Sequence, residues 1–344
     1  MPIVHAEDLR IFARDLLRAG GFTETDAEQT ADLLVWANLR GIDSHGVLRI
    51  PRYVEMIEEG SLISGAAIKT IREHGAVVVL DGGKCPGAVG MNAAVARAAE
   101  LARKLGIGWC AARAISHAGA IGYFASALAE RGLVGIAMSA SKPLMAYAGA
   151  KGEVVSTNPI AIAVPVAGSD PILLDMSTAA VANGKVMAAR DAGRQIPLGW
   201  AIDENGKETT DPGRVAALLP MAGAKGSGLS LMIELLTSVL AGNAVIGPVL
   251  LGHKKGGFNG LAVAVDPEAF GPRHEFDAAV RELRDAIKGL EPAAGVPSVL
   301  LPGERGAATG RVQALDGIPL AAGTCKNLGA LARRFNVKIP DKLL

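Results

Sequence analysis

The chain has 344 residues, half of them hydrophobic, with 43 glycines, only 4% aromatics and a formal charge of +1. That length suits one large domain or two of ordinary size around an aliphatic core. A charge so near zero excludes the electrostatic footprint of a nucleic-acid or anionic-membrane binder.

Residues 5–19 carry apolar side chains at helical spacing and stop at Gly20-Gly21. Thr25 with Glu28 predicts a capping box opening a second helix that runs to about Arg40. Then comes Ser44-His45-Gly46-Val47-Leu48-Arg49-Ile50-Pro51-Arg52-Tyr53. Continued as a helix, this stretch places His45, Arg49 and Arg52/Tyr53 on one face, with a kink at Pro51. An imidazole that titrates near neutrality, a guanidinium fork and a phenol suit a small anionic substrate. A solvated basic helix start would read the same way.

From about residue 74 strand and helix alternate. Strands are expected at 76–80, 107–112, 133–138, 160–164, 172–174 and 261–265, with helices near 90–105, 124–131, 184–192 and 229–240. Asp203-Glu204-Asn205-Gly206 reads as a turn. A charged helix at 276–290 and a last one from about 324 to 335 close the pattern. Alternation argues an α/β fold. The helical ends suggest a smaller domain made by both termini. The expected division is 1–73, 74–281 and 282–344.

Within this frame His117 sits in a glycine- and alanine-rich loop at a strand end, open to a cleft or bonded to backbone. Asp175 ends an apolar strand, where it would orient a ribose or an imidazole, or cap a turn. Lys225-Gly226-Ser227-Gly228 precedes an apolar helix, so its amides, the helix dipole and the lysine would meet a phosphate. It is not a Walker A loop, and Asp81-Gly82-Gly83-Lys84 lacks Rossmann spacing. Cys85, Cys110 and Cys325 show neither metal-ligand nor redox spacing, so no metal is expected and a cytoplasmic location is. No apolar run reaches the ~20 residues that span a bilayer, and the acidic first segment does not read as a secretory signal.

Seven collinear segments go further: Arg40-Gly41 through Tyr53, Ser116-His117-Ala118-Gly119 through Tyr123, Ser156-Thr157-Asn158-Pro159, Asp175-Met176-Ser177, Ile196-Pro197-Leu198-Gly199-Trp200, Leu219-Pro220 through Gly228, and Pro302-Gly303-Glu304-Arg305. Together they resemble the malate/L-lactate dehydrogenase family of the second type. That family includes ureidoglycolate, sulfolactate and diketogulonate oxidoreductases and reductases of cyclic ketimines such as piperideine-2-carboxylate. The resemblance implies a non-Rossmann mixed-sheet domain that binds NAD or NADP, in a homodimer with the active site near the subunit interface. It implies cofactor contacts at Ser141, Asp175, Met176, Ser177, Lys225, Gly226, Gly303, Glu304 and Arg305. His117 and His45 would be catalytic, with Ser44, Arg49 and Tyr53 around a small carboxylate substrate. His117 is favoured for proton transfer, and Arg49 as the carboxylate clamp.

Two departures stand out. Gly256-Gly257-Phe258 occupies the place of a second substrate arginine in ureidoglycolate enzymes. Lys142 follows Ser141 where those enzymes can carry an acid, and would meet a second anionic group or solvent. The expected activity is hydride transfer between nicotinamide and a small 2-hydroxy acid/2-oxo acid pair. Ketimine reduction is the alternative, and a non-catalytic binding protein the reading from another class.

Overall fold

The first helices form as their apolar spacing predicts. The structure, a computed structural model, describes residues 2–253 and 257–343. After the short strand β1 (Ile3–Val4), α1 (Ala6–Ala19) buries Leu9, Phe12, Ala13, Leu16 and Leu17 along one stripe. Helix α2 (Glu24–Leu39) is capped by Thr23, whose hydroxyl accepts the Asp26 N–H at 3.3 Å. The expected box at Thr25 and Glu28 is therefore two residues late. A cap needs extended backbone, which Thr23 supplies just after the glycine stop.

The stretch from Ser44 to Tyr53 is not one helix. Two 3₁₀ turns, Asp43–His45 and Val47–Arg49, precede α3 (Ile50–Glu58). Pro51 lies in the first turn of α3, where a missing N–H costs nothing, so the expected kink does not arise.

Strand β2 (Lys69–His74), which the sequence pattern does not reveal, pairs antiparallel with β3 (Val77–Asp81). All six of its residues are exposed, so the strand shows no in–out alternation. Helix α4 (Gly87–Leu105) then crosses to β4 (Ile107–Ile115), which lies parallel to β3. After α5 (Gly122–Ala129), β5 (Val134–Ala140), β6 (Ile160–Val166) and β7 (Ser169–Met176) pair antiparallel in sequence. Helix α6 (Asn183–Asp191), the two-residue ladder of β8 (Ala201–Ile202) with β9 (Ala217–Leu218), α7 (Ala224–Glu234) and α8 (Ile246–Leu250) follow. Strand β10 (Phe258–Val265) inserts between β4 and β5, antiparallel to both. The order is β2-β3-β4-β10-β5-β6-β7, a mixed sheet with one parallel pair. That topology accounts for the missing Rossmann fingerprint, which belongs to consecutive parallel βαβ units.

Helices α4 and α5 cover one face of the sheet. Ala94, Ala98 and Ala102 bring α4 close to the strands, and Met91, Phe124, Leu128 and Leu133 fill the spaces that remain. A second core joins both ends of the chain. Beyond α9 (Arg273–Lys288) and α10 (Glu304–Asp316), β11 (Ile318–Pro319) pairs with β1, and α11 (Ala322–Phe335) packs Leu328 and Leu331 among Leu9, Phe12, Leu34 and Val54. Helix α10 covers a stretch that reads as loop, because only Ala307 of it is buried.

Two irregularities meet at Asn259, which is fully buried. Helix α7 continues as a π turn over Leu235–Val239, and β10 slips register against β4 between Phe258 and Gly260. The Asn259 amide donates to Ser238 Oγ in the π turn and to the Asn243 carbonyl, both at 2.9 Å. Its oxygen accepts the Ala114 N–H at 3.0 Å. Ala114 sits at φ 51°, a left-handed conformation that costs a side chain ~1–2 kcal/mol. Ala114→Gly is therefore expected to be neutral or to stabilise by up to ~1 kcal/mol, and the β-branched Ala114→Val to destabilise by more than that. Thermal denaturation of both variants checks it: equal losses would show that the conformation carries no strain.

Candidate active site

The 3₁₀ turns exist because α2 anchors them. Asn38 accepts the Val47 N–H at 2.8 Å and donates to Asp43 Oδ1 at 2.7 Å, and Gly46 leaves no room for a side chain against that amide. The turns carry His45 and Arg49 to one place. Ser44 Oγ lies 3.0 Å from His45 Nδ1, and Arg49 Nε donates to the Ser44 carbonyl at 2.6 Å. This last bond uses one corner of the guanidinium and leaves its other nitrogens for a carboxylate.

His117 arrives from the other body, two residues past the end of β4. Ser116 fixes the approach by accepting the Gly87 N–H at the start of α4, at 2.9 Å. The His117 ring stacks on His45, with centroids 5.5 Å apart and planes 22° from parallel. Phe258 stands edge-on to the same imidazole at 5.5 Å, and the Tyr53 hydroxyl lies 2.8 Å from its Nδ1. Sequence spacing alone does not bring these rings together.

Burial pushes His45 down to about 4 and His117 well below its ordinary value. The Arg49 charge adds to both shifts, and the His45 charge adds to that of His117. Burial drives the Tyr53 phenol the other way, up to about 12. The free site thus holds two neutral imidazoles, one neutral phenol and one cation, a combination suited to an anion that also exchanges a proton.

The residues expected to hold the cofactor fall along the edges of β5, β7 and α7. Ser141, buried at the end of β5, shares a 2.7 Å hydroxyl contact with Ser156. Ser230 of α7 donates to the Ser156 carbonyl, tying this corner to that helix. Asp175 accepts the Gly122 N–H at 3.2 Å, so it caps α5 rather than the turn that follows it. Burial pushes its carboxyl up to about 6, opposed by that N–H and by Arg40. Met176 and Ser177 follow directly and are half-buried. Gly303, at φ 88°, presses on Leu173 of β7, and its carbonyl accepts from Arg40 at 3.1 Å. Glu304 is engaged locally: Lys288 donates to it at 2.8 Å and pulls its carboxyl below the usual range, while Arg305 is exposed.

Lys225 and Gly226 lie in the first turn of α7. Lys225 is exposed, and the cap position is Gly223, which offers no side chain. Thr178, one residue past Ser177, keeps a buried hydroxyl without a partner among the described residues, and its carbonyl accepts the Met221 N–H. A helix N-terminus with an exposed lysine in its first turn suits a phosphate-bearing group. A cleft of about 850 Å³ opens there between Tyr147, Lys151, Glu208, Pro220 and Gly223, and none of His45, Arg49 or His117 lines it.

Lys142 is exposed beside Glu153. Of Gly256-Gly257-Phe258, Gly256 lies outside the described residues. Asn259, Ser230 and Arg40 support the site, and sequence spacing does not mark them. A lone asparagine heading the apolar run Phe258–Val265 was the available signal for Asn259. Among the described residues no cluster of three His, Cys, Asp or Glu side chains could hold a metal, and no helix is long and apolar enough to cross a membrane.

Comparison with known proteins extends these observations. A family model described as malate/L-lactate dehydrogenase matches residues 4–329. A malate dehydrogenase of Pyrococcus abyssi is 37% identical, over 96% of this chain and 94% of its own length. A ureidoglycolate dehydrogenase (NAD(+)) of Escherichia coli O157:H7 is 32% identical over 92% of each chain. The crystal structure of a Δ1-piperideine-2-carboxylate reductase from Pseudomonas syringae superposes with a TM-score of 0.84 at 29% identity, covering 96% of this chain and all of its own. The mixed sheet and the run of matched sequence agree, and the chain belongs to the malate/L-lactate dehydrogenase family of oxidoreductases.

Proposed function

We propose that the protein transfers hydride between a nicotinamide cofactor, NAD or NADP, and a small 2-hydroxy acid/2-oxo acid pair. The observation that carries this reading is the stacked His45–His117 pair beside Arg49. Arg49 holds the carboxylate, and His117 takes the hydroxyl proton in oxidation or returns it in reduction. The bound nicotinamide supplies or accepts the hydride. Ser141, Asp175–Ser177, the first turn of α7 and Gly303–Arg305 hold the cofactor. Ser44 and Tyr53 complete the substrate pocket, and Lys142 is the candidate for a second anionic group on the substrate.

Reduction of a cyclic ketimine is the second reading. It needs the same carboxylate clamp but protonates nitrogen, and the structural likeness to the piperideine-2-carboxylate reductase favours keeping it. The decisive experiment follows the near-ultraviolet absorbance of the reduced cofactor against a panel of 2-oxo acids and cyclic imines. Turnover of oxo acids supports the first reading, and of imines alone the second. Cofactor binding without any turnover would favour a binding protein.

The same reading makes the protein a cytoplasmic homodimer. Met232, Leu235, Val239 and Leu240 leave an exposed apolar stripe on α7 and its π turn, of the kind a second copy covers. Sedimentation as a monomer at micromolar concentration would remove that part.

Lys225→Ala is expected to weaken cofactor affinity about 10–100-fold, because it deletes a charge-assisted contact of roughly 1.5–3 kcal/mol. Its exposed position predicts an unchanged melting temperature. Unchanged affinity, read by fluorescence titration of the reduced cofactor, would move the phosphate site elsewhere.

A further inference from the structure

His117 offers substrate only one of its two ring nitrogens. Its Nδ1 is taken by the Tyr53 hydroxyl at 2.8 Å, and the ring cannot turn freely between His45 stacked on one side and Phe258 set edge-on to it. The proton is therefore exchanged at Nε2. What Nε2 presents, an N–H or a lone pair, depends on which way the bond at Nδ1 runs.

The surroundings of Tyr53 decide that direction. Its side chain comes from α3, is 4% exposed and packs in the helical core among Ile50, Val54 and Leu62. Among the described residues the hydroxyl bonds to His117 Nδ1 and to nothing else. A buried O–H without an acceptor is costly, and a phenol held up at about 12 keeps its hydrogen throughout the working range. Donation to Nδ1 satisfies both atoms. The opposite arrangement, Nδ1–H donating to the phenol, strands the phenolic hydrogen.

We propose that Tyr53 is a positioning residue that acts through His117: it donates to Nδ1 and fixes the neutral imidazole as the tautomer carrying its hydrogen on Nε2. The free site then shows substrate a donor. A donor complements the carbonyl oxygen of a 2-oxo acid, or a ketimine nitrogen. A 2-hydroxy acid giving up its proton needs a lone pair at that point, so its oxidation requires the phenol to turn and lose its acceptor. The resting site is set to bind the oxidised member of the pair; its reduction takes up one further proton from solvent at the imidazole, which as an imidazolium gives up the Nε2 hydrogen and returns to neutral. This consequence rests on the function proposed above; the tautomer itself does not.

The test reads the tautomer directly. Long-range ¹H–¹⁵N correlation spectra of the ¹⁵N-labelled, substrate-free protein at pH 8 resolve protonated from bare ring nitrogens, and a His117→Gln spectrum identifies the His117 signals among the six histidines. The expected result is hydrogen on Nε2 and a bare Nδ1. In Tyr53→Phe the His117 signals should move to an average of both tautomers. In the same variant the Michaelis constant of the 2-hydroxy acid relative to that of the 2-oxo acid should fall about five- to tenfold, the worth of one hydrogen bond. Hydrogen on Nδ1 in the parent protein overturns the proposal, and that spectrum decides even if Tyr53→Phe fails to fold. Ring-nitrogen shifts unaltered in a folded Tyr53→Phe overturn it too. Because the spectra need no substrate, a protein inactive on every oxo acid and imine would sink the functional reading and leave the tautomer standing.

Discussion

His117→Ala is expected to lower turnover by about 10²–10⁴-fold at saturating cofactor, the range typical of a lost general acid–base. His45→Ala should mainly raise the Michaelis constant, since it removes a wall of the site rather than the nitrogen that meets substrate. Turnover measured against pH for both variants separates the roles. A His117 variant with an intact profile beside a dead His45 variant would exchange them. The imidazoles also leave a mark on stability. Both are held below 6.5 in the folded protein, so the unfolded chain binds protons first as the pH falls. Their contribution is complete above about 6.5 and erodes as the pH falls, toward about 4 for His45, by up to roughly 1.4 kcal/mol per pH unit for each histidine. Denaturant midpoints of the His117 variant should therefore fall less steeply than the parent's across that window.

Arg49→Lys should raise the Michaelis constant of the carboxylate substrate about 10–100-fold and leave cofactor affinity alone. The charge survives, but the planar fork does not, and a bidentate charge-assisted pair becomes a single contact. The lysine also loses the bond from Nε to the Ser44 carbonyl, which now aims the group. Arg49→Gln goes further. It removes the cation that helps hold both imidazoles neutral, so both should titrate at higher pH, a shift visible by proton NMR even without turnover. Steady-state kinetics indistinguishable from the parent in Arg49→Lys would place this guanidinium outside the site.

Much of the fold is legible in the sequence, for physical reasons that can be named. Periodic apolar spacing revealed α1 and α4, and short apolar runs bounded by glycine revealed β3 to β7 and β10. The candidate substrate residues lie in compact motifs, so local sequence singles out His45, Arg49, Tyr53 and His117 as candidates. Their meeting did not follow from that pattern, because His45 and His117 are brought together by two different cores. Strand β2 was hidden by its exposure on both faces, and α10 by glycines and polar side chains that bury only Ala307. Asn259 was hidden in another way. Its partners Ala114, Ser238 and Asn243 are scattered along the chain, and only the slipped register of β10 joins them. Glu304 shows the reverse, a motif residue whose carboxylate is already engaged by Lys288.

The helical core shared by the two ends of the chain sets an order of assembly during synthesis. His45, Arg49 and Tyr53 leave the ribosome well before Ile318, Leu320, Leu328 and Leu331, the residues that close the core beneath them. Everything needed for the sheet, through Val265, emerges before those four side chains exist. The nascent chain can thus complete the body that carries His117 and the glycine-rich start of α7 while α1 to α3 still lack their closing layer. For that interval the candidate site is half framed, with Arg49 on an unfinished scaffold. That scaffold is complete only when α11 docks against α1 to α3.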